Sequence, residues 1–177
     1  MRVLVASFSL LLAVLAGTAH AGDMLKPGDA FPAWTLVDQT GAAVTSASLA
    51  GKTYLLWFYP KAQTPGCTAE GNGLRDQFPA FQARGVEILG VSFDAPDANA
   101  AFVKAQTFPF RLLSDQDKTL ADAVGASGGF GLYAKRISYL VGPDGKVVKA
   151  YAEVTPATHA SDVLRDVGPS PAATHAP

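Results

Sequence analysis

The chain has 177 residues, 49% hydrophobic and 16% charged, an ordinary globular composition and enough for one domain with a sizeable core. A formal net charge of -1, with no cluster of Lys or Arg, excludes the broad positive field by which proteins attract nucleic acid or anionic membrane. One cysteine and three scattered histidines make no convincing metal site, so neither a metal nor a cofactor is expected.

The first segment, MRVLVASFSLLLAVLAGTAHA, carries Arg2, an apolar stretch from Val3 to Gly17 and the small-residue pattern Ala19-His20-Ala21. This is the pattern of a cleavable secretory signal, with cleavage after Ala21; the run is short of the about 20 residues that a membrane span needs. The expected product is exported, periplasmic or secreted, with no membrane attachment once the signal is removed. From Phe31, two short apolar stretches flank Asp38-Gln39-Thr40-Gly41, a hairpin signal. TYLLWFY (Thr53 to Tyr59) and VEILGVSF (Val86 to Phe93) are continuous apolar runs that suit strands buried on both faces of a sheet. Between them Thr68 to Arg84 is long enough for a helix that Pro79 divides near Phe78.

A second unit places Pro96 and Asp97 at a helix start, buries Ala101, Phe102 and Ala105, and returns through the strand FPFRLLSD. DKTLADAVGA reads as a short helix closed by Gly125, and Ser127 to Gly131 as a flexible connection without the spacing of a phosphate loop. RISYLVGPDGKVVKAYAEV is a hairpin around Gly142-Pro143-Asp144-Gly145, His159 to Val167 a last amphipathic helix, and PSPAATHAP a disordered tail. The order argues for an α/β fold with a central mixed sheet flanked by helices and an N-terminal β-hairpin. The expected organisation is a signal at residues 1–21, one domain at 22–168 and a tail at 169–177.

An exported chain usually has paired cysteines or none, so an unpaired Cys67 suggests a reactive thiol or an intermolecular disulfide. It follows Pro65-Gly66 in what reads as the first turn of a helix, where unpaired N-H groups and the helix dipole favour the thiolate that reacts; burial as a small hydrophobe is the alternative. Thr64 is near enough for its hydroxyl to hold one oxygen of a peroxide while sulfur attacks the other, or it caps the helix. Pro60 and Pro65 read as simple turn prolines or as residues that fix the loop and limit water around the sulfur, and the two readings are compatible. His159 reads as a helix cap or surface residue, Trp34 and Trp57 as core aromatics, and Phe130 and Tyr133 as candidates to line an apolar entrance.

Pro60, Thr64 and Cys67 form Pro-x-x-x-Thr-x-x-Cys, and FYPKAQTPGCTAE, with GVSFDAPDANAAF, FPFRLLSD, the GPDGK turn and HASDVL, resembles the peroxiredoxins of the peroxiredoxin Q or bacterioferritin comigratory protein subfamily. The resemblance spans Gly28 to Val167. It implies a thioredoxin-like fold, Cys67 as peroxidatic cysteine, Thr64 bonded to the peroxide, Arg136 stabilising thiolate and leaving oxygen, and Glu70 orienting that arginine; on the residues alone Arg136 also reads as a strand-end surface arginine and Glu70 as a first-turn acid favoured by the helix dipole. Arg75 matches a further family arginine, with surface pairing to Asp76 or Glu70 an equal alternative. The implied function is a thiol-dependent peroxidase acting on hydrogen peroxide and small organic hydroperoxides, in antioxidant defence and redox homeostasis.

Many subfamily members carry a resolving cysteine five residues after the peroxidatic one; here that position is Asn72. A one-cysteine mechanism follows, resolved by an external thiol (glutathione, a glutaredoxin or a thioredoxin-like donor) or by a disulfide between subunits, in a monomer or homodimer. Gly71 and Gly73 flank Asn72, and the three together give up about 2 to 2.5 kcal/mol of helix propensity, so this turn reads as soft, which would keep the oxidised sulfur reachable, or its glycines are there for close packing. The competing functions are a thiol-disulfide oxidoreductase, which would need Cys where Thr64 stands, and a non-enzymatic redox sensor, which has no need of Thr64, Glu70 and Arg136 around its cysteine.

Overall fold

The computed structural model describes residues 22–167; the expected signal, 1–21, and tail, 169–177, lie outside the described residues. The strands are β1 (Thr35–Asp38), β2 (Ala43–Thr45), β3 (Thr53–Phe58), β4 (Val86–Ser92), β5 (Arg111–Ser114), β6 (Ser127–Gly128), β7 (Tyr133–Ala134), β8 (Ile137–Val141) and β9 (Val147–Tyr151). The α-helices are α1 (Pro65–Asp76), α2 (Phe78–Ala83), α3 (Pro96–Gln106), α4 (Thr119–Ala123) and α5 (His159–Val167). Seven strands form one sheet in the order β2-β1-β5-β4-β3-β8-β9. β3, β4 and β5 run parallel, and the edge hairpins β1–β2 and β8–β9 join them through antiparallel pairing of β1 with β5 and of β8 with β3, so the sheet is mixed.

The continuous apolar runs became the middle strands because helices and loops cover both faces there. Side chains alternate across β3: Tyr54, Leu56 and Phe58 join a core with Leu120 and Ala121 of α4, while Leu55 and Trp57 join one with Leu74, Phe81, Phe102 and Val163 of α1, α2, α3 and α5. Each fully buried large apolar side chain of this kind contributes about 1.5 to 3 kcal/mol. The N-terminal hairpin forms where expected; Asp38 Oδ1 accepts Thr40 N at 2.8 Å and Ala42 N at 3.1 Å, and Gly41 takes the left-handed φ of +83°. At the other edge Gly142 N donates to Lys146 O at 2.8 Å to close the β8–β9 turn.

The helix after β3 is divided as its proline requires, with Gln77 between α1 and α2 and Pro79 in the first turn of α2. Two expectations are corrected. In α3, Ala101 and Ala105 are exposed, and the buried face carries Asn99 and Phe102, because that i, i+3 stripe is the one turned to the sheet. The strand expected over FPFRLLSD is only β5; Phe108 and Phe110 precede it and stack at 5.0 Å in the core. The connection at Ser127 to Gly131 forms the small β6–β7 hairpin with a 3-10 turn at Gly129–Gly131, which delivers the chain to Arg136.

Candidate active site

The site sits where β3 ends and α1 begins. Tyr59 N donates to Val91 O at 3.0 Å, and Ala62 N donates to Asp94 Oδ2 at 2.8 Å, which ties the Pro60 loop to the end of the neighbouring strand. Asp94 is in turn held by Ser92 Oγ at 2.9 Å. Below the loop the Tyr59 hydroxyl donates to Asn99 Oδ1 at 2.6 Å, and burial pushes the Tyr59 phenol far above its ordinary pKa, so it stays neutral. Gln63 takes a left-handed φ of 62°, which turns the chain into the helix.

Thr64 is the N-cap residue of α1, but its hydroxyl makes no capping bond; it donates to Lys61 O at 2.9 Å, so its oxygen keeps lone pairs for another donor. Two residues into the helix, Cys67 is fully buried beside Trp57 and Tyr59. Arg136, immediately before β8, reaches across: Nη2 donates to Sγ at 3.4 Å and Nη1 to Glu70 Oε2. Burial alone would lower the Arg136 pKa; the hydrogen bond to Cys67 and the charge of Glu70 outweigh it and hold the guanidinium above its ordinary value, permanently cationic. Gly66 makes room for it, since a Cβ there would stand 3.0 Å from Arg136 Nη2.

Glu70 is fully buried in the second turn of α1, so it does not serve the helix dipole at the first turn. Its Oε1 faces His159 Nδ1 at 2.8 Å. The ring N-H lies off the hydrogen-bond line, and neither atom has another partner among the described residues. His159 is therefore corrected from a cap or surface residue to a buried one, 2% exposed, because the first turn of α5 lies against α1 rather than in solvent.

The structure thus brings Cys67, Arg136 and Glu70 together and sets Thr64 and Pro60 on the loop above the sulfur. Asn72 accepts from Arg75 Nη1 at 2.9 Å, and Arg75 also binds Gln106 O at 2.8 Å and Asp76, so of its two expected pairings it takes Asp76. Phe130 is wholly exposed and Tyr133 packs over Gly128 and Gly129. A cleft of about 450 Å³ between Phe78, Phe110, Lys52 and Arg111 lies at the opposite end of the parallel strands. Sequence reasoning missed Asp94 and His159. Asp94 precedes Ala95-Pro96 and reads as part of a helix start, whereas its carboxylate holds the catalytic loop.

A fixed cation against a sulfur at a helix N-terminus has the layout for nucleophilic attack by a thiolate, with the same cation ready for charge on the leaving group. The AhpC/TSA family matches residues 27–150. Peroxiredoxin Bcp of Escherichia coli is 36% identical over 146 residues, 79% of this chain and 94% of that protein; peroxiredoxin bcp1 of Schizosaccharomyces pombe is 38% identical over 135 residues, 75% and 69%. Among solved structures, peroxidoxin BcpB of Mycobacterium tuberculosis aligns with a TM-score of 0.76 at 31% identity over 81% of this chain and 96% of that one. The Xanthomonas campestris bacterioferritin comigratory protein, studied for alkyl peroxide reduction, gives 0.73 at 34% over 81% and 95%. With the fold, the sulfur-arginine-carboxylate array and these likenesses in agreement, the chain belongs to the AhpC/TSA family, among the peroxiredoxins similar to Bcp and peroxiredoxin Q, and is a thiol-dependent peroxidase of antioxidant defence.

Proposed function

We propose that the chain is an exported one-cysteine peroxidase, its domain spanning 22–168 after removal of a signal at 1–21, in which Cys67 is the attacking residue. The observation that carries this reading is Arg136 donating to Cys67 Sγ at 3.4 Å while anchored on buried Glu70. The Cys67 thiolate attacks one oxygen of the peroxide: an S–O bond forms, the O–O bond breaks, and the leaving oxygen takes a proton to become water or an alcohol. Sulfur is oxidised by two electrons and the peroxide reduced by two. Thr64 holds the peroxide through its hydroxyl, Arg136 carries the charge that moves to the leaving oxygen, and Pro60 and Asp94 keep the loop in place.

Cys67 is the chain's one cysteine, so a thiol from outside resolves the sulfenic acid. That thiol attacks sulfur, water leaves and a mixed disulfide forms; a second thiol releases Cys67 and carries off the disulfide. Glutathione, a glutaredoxin or a thioredoxin-like donor fits this need, and a second copy of the chain would serve only by an intersubunit disulfide. The alkyl peroxide reduction studied in the Xanthomonas campestris relative supports small organic hydroperoxides as substrates beside hydrogen peroxide. The periplasm or the extracellular space is the proposed site of action, supported by the leader-type sequence before Gly22.

The test is peroxide consumption by the protein with each donor in turn, together with trapping of the Cys67 sulfenic acid. Cys67→Ser is expected to abolish turnover; equal turnover in that variant would end the proposal. Turnover with one donor alone identifies the reductant, and recovery of the chain processed after Ala21 outside the cytoplasm tests the export reading.

A further inference from the structure

Glu70 has two oxygens, and the arginine uses only one. Oε2 receives Arg136 Nη1, while Oε1 is buried at 2.8 Å from His159 Nδ1. Both side chains are sealed from water, with 0% and 1% side-chain exposure. An anionic oxygen left so enclosed without a partner costs several kcal/mol, so the pair is under pressure to meet. His159 Nε2 also has no partner. A bare ring lone pair is cheaper to bury than an unpaired N-H, which puts the proton on Nδ1, facing Glu70. A small turn of the ring then aligns that N-H on Oε1.

We infer that His159 is a positioning residue of the peroxidase site: through Nδ1 it fixes the free oxygen of Glu70, and Glu70 so fixed aims Arg136 at Cys67 Sγ. The inference rests on the peroxidase reading. A carboxylate held at one oxygen only can swing about its terminal bond and take the guanidinium with it. Held at both, it presents Oε2 in a single direction, which matters when Nη2 must meet sulfur from the same planar fork. The arrangement spans the fold: Glu70 on α1, Arg136 entering β8, and His159 opening α5. The other groups facing the imidazole are the Tyr151 ring of β9, at 5.7 Å and 73°, and Asp162 of its own helix. Charges on this chain of contacts are mutually dependent: sulfur, guanidinium, carboxylate and imidazole each touch the next, and the loss of negative charge at sulfur on oxidation is felt at the ring.

The test uses the full chain with His159→Leu and His159→Asn, whose amide N-H can stand where Nδ1 stands. The readouts are the rates of Cys67 with hydrogen peroxide and with iodoacetamide across neutral pH, and the imidazole nitrogen NMR signals of His159. His159→Leu is expected to slow both reactions about tenfold and to move their pH profiles, and His159→Asn to recover most of the loss. The wild-type His159 signals are expected to move in Glu70→Gln and in Cys67→Ser. A folded His159→Leu protein reacting like the wild type with both reagents overturns the inference. Should that variant not fold, unchanged His159 signals in both other variants overturn it instead. A wild type that consumes no peroxide, yet whose alkylation depends on His159, sinks the peroxidase reading and leaves the positioning role standing.

Discussion

Gly66 and Gly71 occupy the same helix for opposite reasons. At Gly66 the space that a Cβ would fill belongs to the guanidinium of Arg136, 3.0 Å away, and the backbone is ordinary helix. Gly66→Ala is therefore expected to keep or slightly raise the melting temperature, since alanine is the better helix former by about 1 kcal/mol, while pushing the arginine off the sulfur and slowing peroxide reduction about tenfold. Stopped-flow oxidation and thermal unfolding on one sample separate the two effects. At Gly71 a Cβ would meet Phe108 Cζ at 2.4 Å and Trp57 at 3.0 Å, rigid rings packed in the core. Gly71→Ala is expected to destabilise by about 1 to 3 kcal/mol in denaturant titrations, overpacking outweighing the propensity gain. Sequence reading reached Cys67, Thr64 and Pro60 through a local spacing, and Glu70 and Arg136 only through the resemblance to the peroxiredoxins, since nothing local marks either. It missed His159 because nothing in HASDVL tells which side of α5 meets α1.

At the scale of elements, the softness expected of the Gly-Asn-Gly turn is set against tertiary contacts. α1 is continuous through it, Gly71 is wedged against Phe108, and Arg75 links Asn72 to the end of α3 through Gln106 O. Close packing, not frailty, accounts for Gly71. The oxidised sulfur must still be uncovered for an outside thiol, so hydrogen exchange after peroxide treatment is expected to quicken at Thr68 to Glu70 while Asn72 to Asp76 stay protected. Equal quickening along the whole helix would restore the soft-turn reading.

Asp115, fully buried, accepts Leu120 N and Ala121 N at the start of α4. Burial pushes its pKa from 3.8 up to about 6 against the pull of those two bonds. The folded state then holds this proton more tightly than the unfolded one, so between about pH 4 and 6 stability falls as pH rises, and above that window the loss is complete and flat. Asp38 works the other way: its burial is outweighed by hydrogen bonds from Thr40 and Ala42, its pKa is lowered, and the stability it contributes is lost only as pH falls below 3.8. Urea titrations from pH 4 to 7 are expected to show the Asp115 slope in the wild type and none from this site in Asp115→Asn.

Over the whole molecule, the mixed sheet, its two edge hairpins and the helices on its faces were legible because apolar runs, proline positions and turn residues agree with one another. Burial along α3 was not, since alternative stripes of that helix are nearly equal in apolarity and the sheet decides between them. One cysteine in the whole chain has a consequence at the same scale. Peroxide without reductant is expected to leave a sulfenic acid that goes on to sulfinic acid, and with glutathione a mixed disulfide, never an internal one. Intact-protein mass spectrometry distinguishes one added oxygen, two, or an added glutathione; a sulfenic acid that gains no glutathione when the tripeptide is supplied would contradict resolution by that thiol.

The contact between α1 and the first turn of α5 also sets an order of events during biosynthesis. Glu70 meets Arg136 only across 66 residues, and His159 comes later still, in the last described element of the chain. A nascent chain therefore carries Cys67 long before the arginine that faces it has emerged. The thiol stays without its cation until β8 pairs with β3, so arming of the peroxidase waits for the second half of the chain.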